Sequence, residues 1–185
     1  GKYETYDRQL TELQGLTPET PEDYLFMGFL YEKTDPERCL KYMDEAVRRR
    51  PSLVAYSFRG DARLNWADDT GDPAVAELAV EDADAVKLFI PDDPLALVES
   101  QEARLAAASA YAAAGRQDKR EVVLAQAARE AQGLTHHDDY PIAVTELWIY
   151  YRYVNDEKSV LEMTRHAWER THESLVPWRY AQALY

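Results

Sequence analysis

The run His136-His137-Asp138-Asp139 consists of metal-ligand types, and the acid pairs Asp68-Asp69 and Asp92-Asp93 are of the kind that can share a proton in acid–base chemistry. Adjacent loop residues seldom converge on one ion, and no further His or Glu stands at the helical spacing that would add a ligand. The four are read as a polar loop. Each acid pair lies beside Pro or Gly, where helix capping and loop solvation account for it. His166 and His172 are six residues apart, which puts them on different faces of a helix. Cys39 is the single cysteine, so an internal disulfide and a Cys-based zinc cluster are excluded, and its helical context makes it a packing residue. No phosphate-binding loop, nucleophile elbow, zinc-protease or kinase motif occurs. The sequence therefore predicts no catalytic residue, no metal and no cofactor, and the chain is not expected to be an enzyme.

Composition narrows the partners. The 185 residues carry a formal charge of −13 and are 46% hydrophobic, enough for a core. Only 7 Gly, set against abundant Ala, Leu and Glu, favour helix. Between Asp61 and Glu99 stand eleven acidic residues and two basic ones. Such a surface repels phosphate, so nucleic acid is excluded as the expected partner and a basic or apolar protein segment suits it better. Solvation of an exposed face explains much of the same acid. Arg48-Arg49-Arg50 fall in a last helical turn, where cations offset the partial charge of the helix end. No apolar run approaches the roughly 18 residues of a spanning helix, and Gly1-Lys2-Tyr3-Glu4 is unlike a secretory signal. A cytoplasmic piece of a larger protein, without membrane insertion, is the expectation.

The elements follow from periodicity. Tyr3, Tyr6, Leu10 and Leu13 space a short flanking helix, and Thr20-Pro21-Glu22-Asp23 has the chemistry of a helix start. From Glu22 to Lys33 apolar residues crowd nearly every side, so this helix must be covered by more than one neighbour. Gly28 in its middle costs about 1 kcal/mol relative to Ala, which a close helix crossing would explain. The partner helix runs from Asp35 to Arg50. After Pro51, Tyr56-x2-Arg59-Gly60-x2-Arg63 restates the pattern with two Arg in apolar positions. The stretch Asn65–Pro73 is longer than a tight turn, and Asp72-Pro73 restarts the helix, so the second helix of this pair is read as extended at its N-terminus, with Trp66 folded over its first turn. Pro94–Ala114 and Gln117–Gln132 form a third pair, which Gly133 ends as a left-handed cap. Pro141–Val154 and Glu157–Thr171 form a fourth, the first of them rich in aromatics at Trp148, Tyr150, Tyr151 and Tyr153.

The spacing Tyr24-x2-Met27-Gly28-x2-Tyr31, followed by Cys39, Met43, Ala46 and Pro51, resembles the tetratricopeptide repeat (TPR), a helix-turn-helix unit of about 34 residues with a W-x2-L-G-x2-Y opening. Pro177-Trp178-x2-Ala181-Gln182-x2-Tyr185 restates that opening. The resemblance implies an all-α, right-handed superhelical solenoid of antiparallel helix pairs: residues 1–21 as flanking helix and linker, then repeats at 22–51, 52–93, 94–134 and 139–173 and a partial unit at 174–185. It also implies a protein-interaction module, because the first helices of such arrays line a concave groove for a partner segment. Carried over helix by helix, the groove candidates are Leu25, Phe29, Glu32 and Lys33; Ser57, Asp61, Leu64 and Asn65; and Leu105, Ser109 and Ala112. These lack the Lys, Arg and Asn set by which one class of the family clamps a C-terminal carboxylate, so a chaperone tail is not the expected ligand. The alternative is an appendage that packs on its own parent, for example a bacterial signalling enzyme, and gates it.

Overall fold

In the computed structural model of the chain, residues 11–13, 15–91, 93–137 and 140–171 are described, and among them there is no strand. Residues 11–13 are helical, while the rest of the flanking helix and the partial unit at 174–185 lie outside the described residues. The described helices that follow are α1 (Pro21–Tyr31), α2 (Pro36–Arg49), α3 (Leu53–Thr70), α4 (Pro73–Phe89), α5 (Pro94–Ala113), α6 (Gln117–Leu134), α7 (Pro141–Tyr153) and α8 (Glu157–Thr171). They belong to two compact units, 1–89 and 90–185. In unit 1, α1 pairs with α2, α3 pairs with α4, and α2 packs on α3. In unit 2, α5 pairs with α6 and α7 with α8, while α7 also packs on α5 and α6.

The helix starts are written locally. The Thr20 Oγ1 accepts from the Asp23 amide at 3.2 Å and the Asp23 carboxylate accepts from the Thr20 amide at 2.8 Å, a reciprocal capping box. The Thr20 backbone bond is the main reason the Asp23 carboxyl titrates below its ordinary range. Asp35, Ser52 and Asp93 cap α2, α3 and α5 in the same way, each accepting from a backbone amide in the first turn. Gly71, at φ 67°, and Gly115, at φ 69°, take the left-handed conformation that ends α3 and follows α5. At the other end of α2, Arg48 and Arg49 both bind Glu45, which holds that carboxyl down at about 2. Arg49 also reaches back to the Glu19 carbonyl and the Tyr24 hydroxyl.

Two sequence expectations are corrected. α4 starts at Pro73 as expected, but Asn65–Thr70 is not part of the connection before it: it extends α3 at its C-terminus, because nothing from Trp66 to Thr70 breaks a helix and Gly71 is the first residue that does. Trp66 consequently faces the α1–α2 turn, beside Lys33 and Pro36, instead of covering the start of α4. Gly133 lies within α6, which runs on to Leu134, and is not left-handed. A Cβ there would stand 3.0 Å from Leu97 Cδ1, so its smallness serves the crossing of α5 and α6.

The unit 1 core gathers Met27, Tyr31, Cys39, Met43 and Ala62, with Leu25, Leu30, Leu40, Tyr42 and Phe58 against it. Burial pushes the Cys39 thiol up to about 11. Arg38 lies 4.1 Å above the Tyr31 ring, which stacks on Tyr42. Gly28 is the crossing point: a Cβ there would meet Met43 at 2.6 Å from Cε and 2.9 Å from Sδ. Unit 2 centres on Val98, Ala131, Leu134, Ala143 and Leu147. Gly60 has more room, its nearest neighbour being Asp82 Cβ at 3.4 Å from a built Cβ. Gly60→Ala should therefore be neutral or stabilise by up to about 1 kcal/mol, whereas Gly60→Leu should lower the melting temperature well beyond Glu81→Gln at an exposed site. Thermal melts followed by circular dichroism check the order, and equal small shifts for Gly60→Leu and Glu81→Gln would refute it.

Candidate functional site

In unit 1 the first helices present a mixed face. Phe29 on α1 is 42% exposed and meets Phe58 of α3 edge-on, with ring centroids 4.6 Å apart. Phe58 was not among the sequence candidates, although it directly follows Ser57 in α3. Leu25, Ser57 and Leu64 are half-buried, and Asp61 is exposed. Leu25 leans on the core, so only part of it is available to a partner. One turn further along, the Asn65 amide donates to Glu32 Oε1 at 3.0 Å and joins the end of α1 to α3. Glu32, Lys33 and Asn65 then line a cleft of ≈ 90 Å³ with Pro36, Cys39, Ala62, Trp66 and Asp69. The α1 and α3 candidates thus lie on or beside the first-helix surface of unit 1, with Lys33 at its rim.

The unit 2 candidates diverge. Leu105 is only 6% exposed, so it belongs to the interior and leaves the set of residues a partner could reach. Its sequence position marked an outward turn of α5, but α5 has both α6 and α7 against it and is buried along most of its length. Ser109 and Ala112 are exposed. The Ser109 hydroxyl donates to the Leu105 carbonyl at 3.0 Å and lies 3.4 Å from the Tyr153 hydroxyl of α7. Tyr153 is thus the aromatic neighbour of this shorter face.

What orients the unit 1 face is a charged lock beneath it. Asp82 of α4 is 1% exposed and accepts from Arg59 Nη2 at 2.6 Å and from Arg63 Nη1 at 2.6 Å. Both guanidinium groups also reach Asp44 of α2, at 2.9 and 3.1 Å, and Arg63 donates to the Leu78 carbonyl. Arg59 and Arg63 are four apart and share one face of α3, so two cations meet two carboxylates from different helices. The sequence carried a signal for this: Ala79, Asp82, Ala83 and Val86 share the i, i+3, i+4, i+7 stripe of α4, and an acid in an apolar stripe demands a partner.

Unit 2 repeats the device. Glu130 sits in the stripe Ala127, Glu130, Ala131, Leu134 of α6, all buried. Arg104 of α5 faces it at 4.0 Å, bridged by the Ser100 hydroxyl, which donates to Glu130 at 3.2 Å. The buried Gln101 amide donates to the Glu146 carbonyl of α7 at 2.7 Å. Burial raises the Glu102 carboxyl above its ordinary range, a hydrogen bond with Glu146 opposes this, and Glu99 adds repulsion.

Among the described residues no group of three or more His, Cys, Asp or Glu is arranged to hold a metal ion. His136 is exposed and His137 half-buried, whereas Asp138 and Asp139 lie outside the described residues. So do His172 and the side chain of His166. No described helix is long and apolar enough to cross a membrane.

No family model and no curated protein matches the sequence. Among solved structures, the chain is similar to a thermophilic TPR protein of Thermus thermophilus, with 22% identity and a TM-score of 0.59 over 97% of this chain and 87% of that one. With the paired helices and the glycine crossing already described, this establishes the fold as TPR-like: an all-α solenoid of helical hairpins.

Asp82→Ala leaves the buried Arg63 and the half-buried Arg59 with only Asp44 and the Leu78 carbonyl as partners and should cost about 3 kcal/mol, while Asp82→Leu combined with Arg59→Leu and Arg63→Met should be closer to the wild type than the single variant. Denaturant melts of both decide it, and a triple variant less stable than Asp82→Ala would overturn the account. A raised carboxyl pKa favours the folded state when protonated, so the Glu102 contribution is present at acid pH and is lost as pH rises through its folded value. Glu102→Gln should accordingly raise the melting temperature at pH 7 and above, with the gain shrinking toward pH 4. A gain independent of pH would show that charge is not its cause.

Proposed function

We propose that the chain is a protein-interaction module in which the first-helix face of unit 1 takes an apolar or basic segment of a partner protein. The carrying observation is the Phe29–Phe58 pair, an aromatic surface left partly in water beside Glu32, Asp61 and Asn65. Exposed aromatic rings rimmed by acid and amide groups suit a segment that offers an apolar side chain to the rings and a cation to the rim. The net charge of −13 works against phosphate-rich partners. The TPR-like fold supports an interaction role of this general kind. The same face could instead be occupied by another segment of a longer parent chain, as in a gating appendage, and a free peptide would then compete with that segment.

Selection of peptides from a random displayed library against the 185-residue chain tests the reading. Apolar-plus-basic sequences should be enriched, and their affinity should fall about tenfold or more with Phe29→Asp or Phe58→Asp. Leu88→Asp, at an exposed apolar position near the end of α4, should leave binding intact. Failure to select any peptide class, or binding indifferent to both phenylalanine variants, would sink it.

A further inference from the structure

The cleft at the edge of that face has a composition of its own. Pro36, Ala62 and the buried Cys39 supply apolar wall, Trp66 an aromatic one, and Glu32 and Asp69 two carboxylates. Because the Asn65 amide nitrogen is already donating to Glu32, its oxygen remains as an acceptor. Lys33 stands at the rim, 3.8 Å from Glu32 Oε1, with its side chain 82% exposed, so it is tethered loosely and can be displaced. All of these residues belong to unit 1.

We propose that this cleft is a specificity pocket for the cationic end of a basic side chain, a lysine ammonium or an arginine guanidinium, from the bound segment. An indole ring beside two carboxylates attracts a cation through the ring face and through charge together. The apolar wall suits the methylene stem that such side chains carry. An acidic or phosphorylated side chain is repelled by both carboxylates, with only the loosely held Lys33 at the rim to offset them, and a neutral aliphatic one brings no charge to set against the carboxylates. The lengthened α3 makes the pocket, because Trp66 and Asp69 both lie in the helical extension that replaces a tight turn. This rests on the interaction reading for unit 1 and deepens it by assigning a chemistry to one end of the face.

The test does not need a peptide. N-acetyl-arginine amide is titrated into the full chain at constant ionic strength, and the Trp66 indole N–H resonance, assigned by its loss in Trp66→Phe, is followed by NMR. Saturable shifts with a dissociation constant on the order of 10 mM are expected. The neutral isostere N-acetyl-citrulline amide should leave the resonance in place. Glu32→Gln with Asp69→Asn should weaken the arginine response roughly fivefold for each carboxylate at low salt, and Lys33→Met should strengthen it. Equal shifts from both probes, no shift at all, or a response unchanged in the double variant each overturn the proposal. Leu88→Asp, away from the cleft, should not alter the arginine response. A silent Trp66 alongside phenylalanine-dependent peptide binding removes the pocket alone, and a responsive Trp66 without selected peptides removes only the wider reading.

Discussion

Two arginines on one face of α3 converge on a carboxylate that water hardly reaches, and the placement of three helices follows from that. Asp82 cannot sit in the stripe of α4 unless α3 presents Arg59 and Arg63 opposite it, and their spare N–H groups then draw in Asp44 from α2. The lock adds little net stability compared with apolar side chains of the same volume. Its physical content is register. A stripe of Ala79, Ala83 and Val86 could slide along its neighbour by a turn at small cost, whereas a forked pair of guanidinium groups fits one position only. Glu130, Ser100 and Arg104 impose the same condition on α5 and α6, so in each unit a polar bolt runs through an alanine-rich seam.

That arrangement frees the outer face of the first helices. With cohesion supplied by alanine contacts and a bolt below, Phe29 and Asp61 need not be recruited to the interior. The contrast with α5 is instructive. There the seam is so close that Ala103, Ala107, Ala108 and Ala110 are all buried, and the helix has little surface to offer. Leu105 is drawn inward with them.

The hairpins were legible because each signal was local: Thr20-Pro21, Asp35-Pro36 and the Asp92-Asp93 pair before Pro94 mark starts, and the cap bonds at Thr20, Asp35 and Asp93 close within a single turn. Gly28 could be read as a crossing since nothing else justifies glycine in mid-helix. The Asn65–Pro73 stretch misled because length was taken for a break, while its composition is compatible with helix up to Gly71. Gly133 misled for the opposite reason, a residue common at caps being used for closeness. Phe58 and Leu105 could not be ranked from periodicity, because exposure on a helix with neighbours on two sides depends on packing angles that no short window contains. The pairing of Asp82 with Arg59 and Arg63 was hidden by reading the acidic segment as one solvated surface.

Gly28 and Met43 form the closest glycine crossing among the described residues, with the thioether lying where a glycine substituent would project. The 1% exposure of Met43 keeps peroxide away from the folded chain. A nascent or transiently opened chain has no such shelter, and a sulfoxide oxygen gained in that interval would have neither space nor a donor when α1 closes on α2. The Met43 thioether is therefore open to oxidation before α1 and α2 meet and sheltered from it once they have.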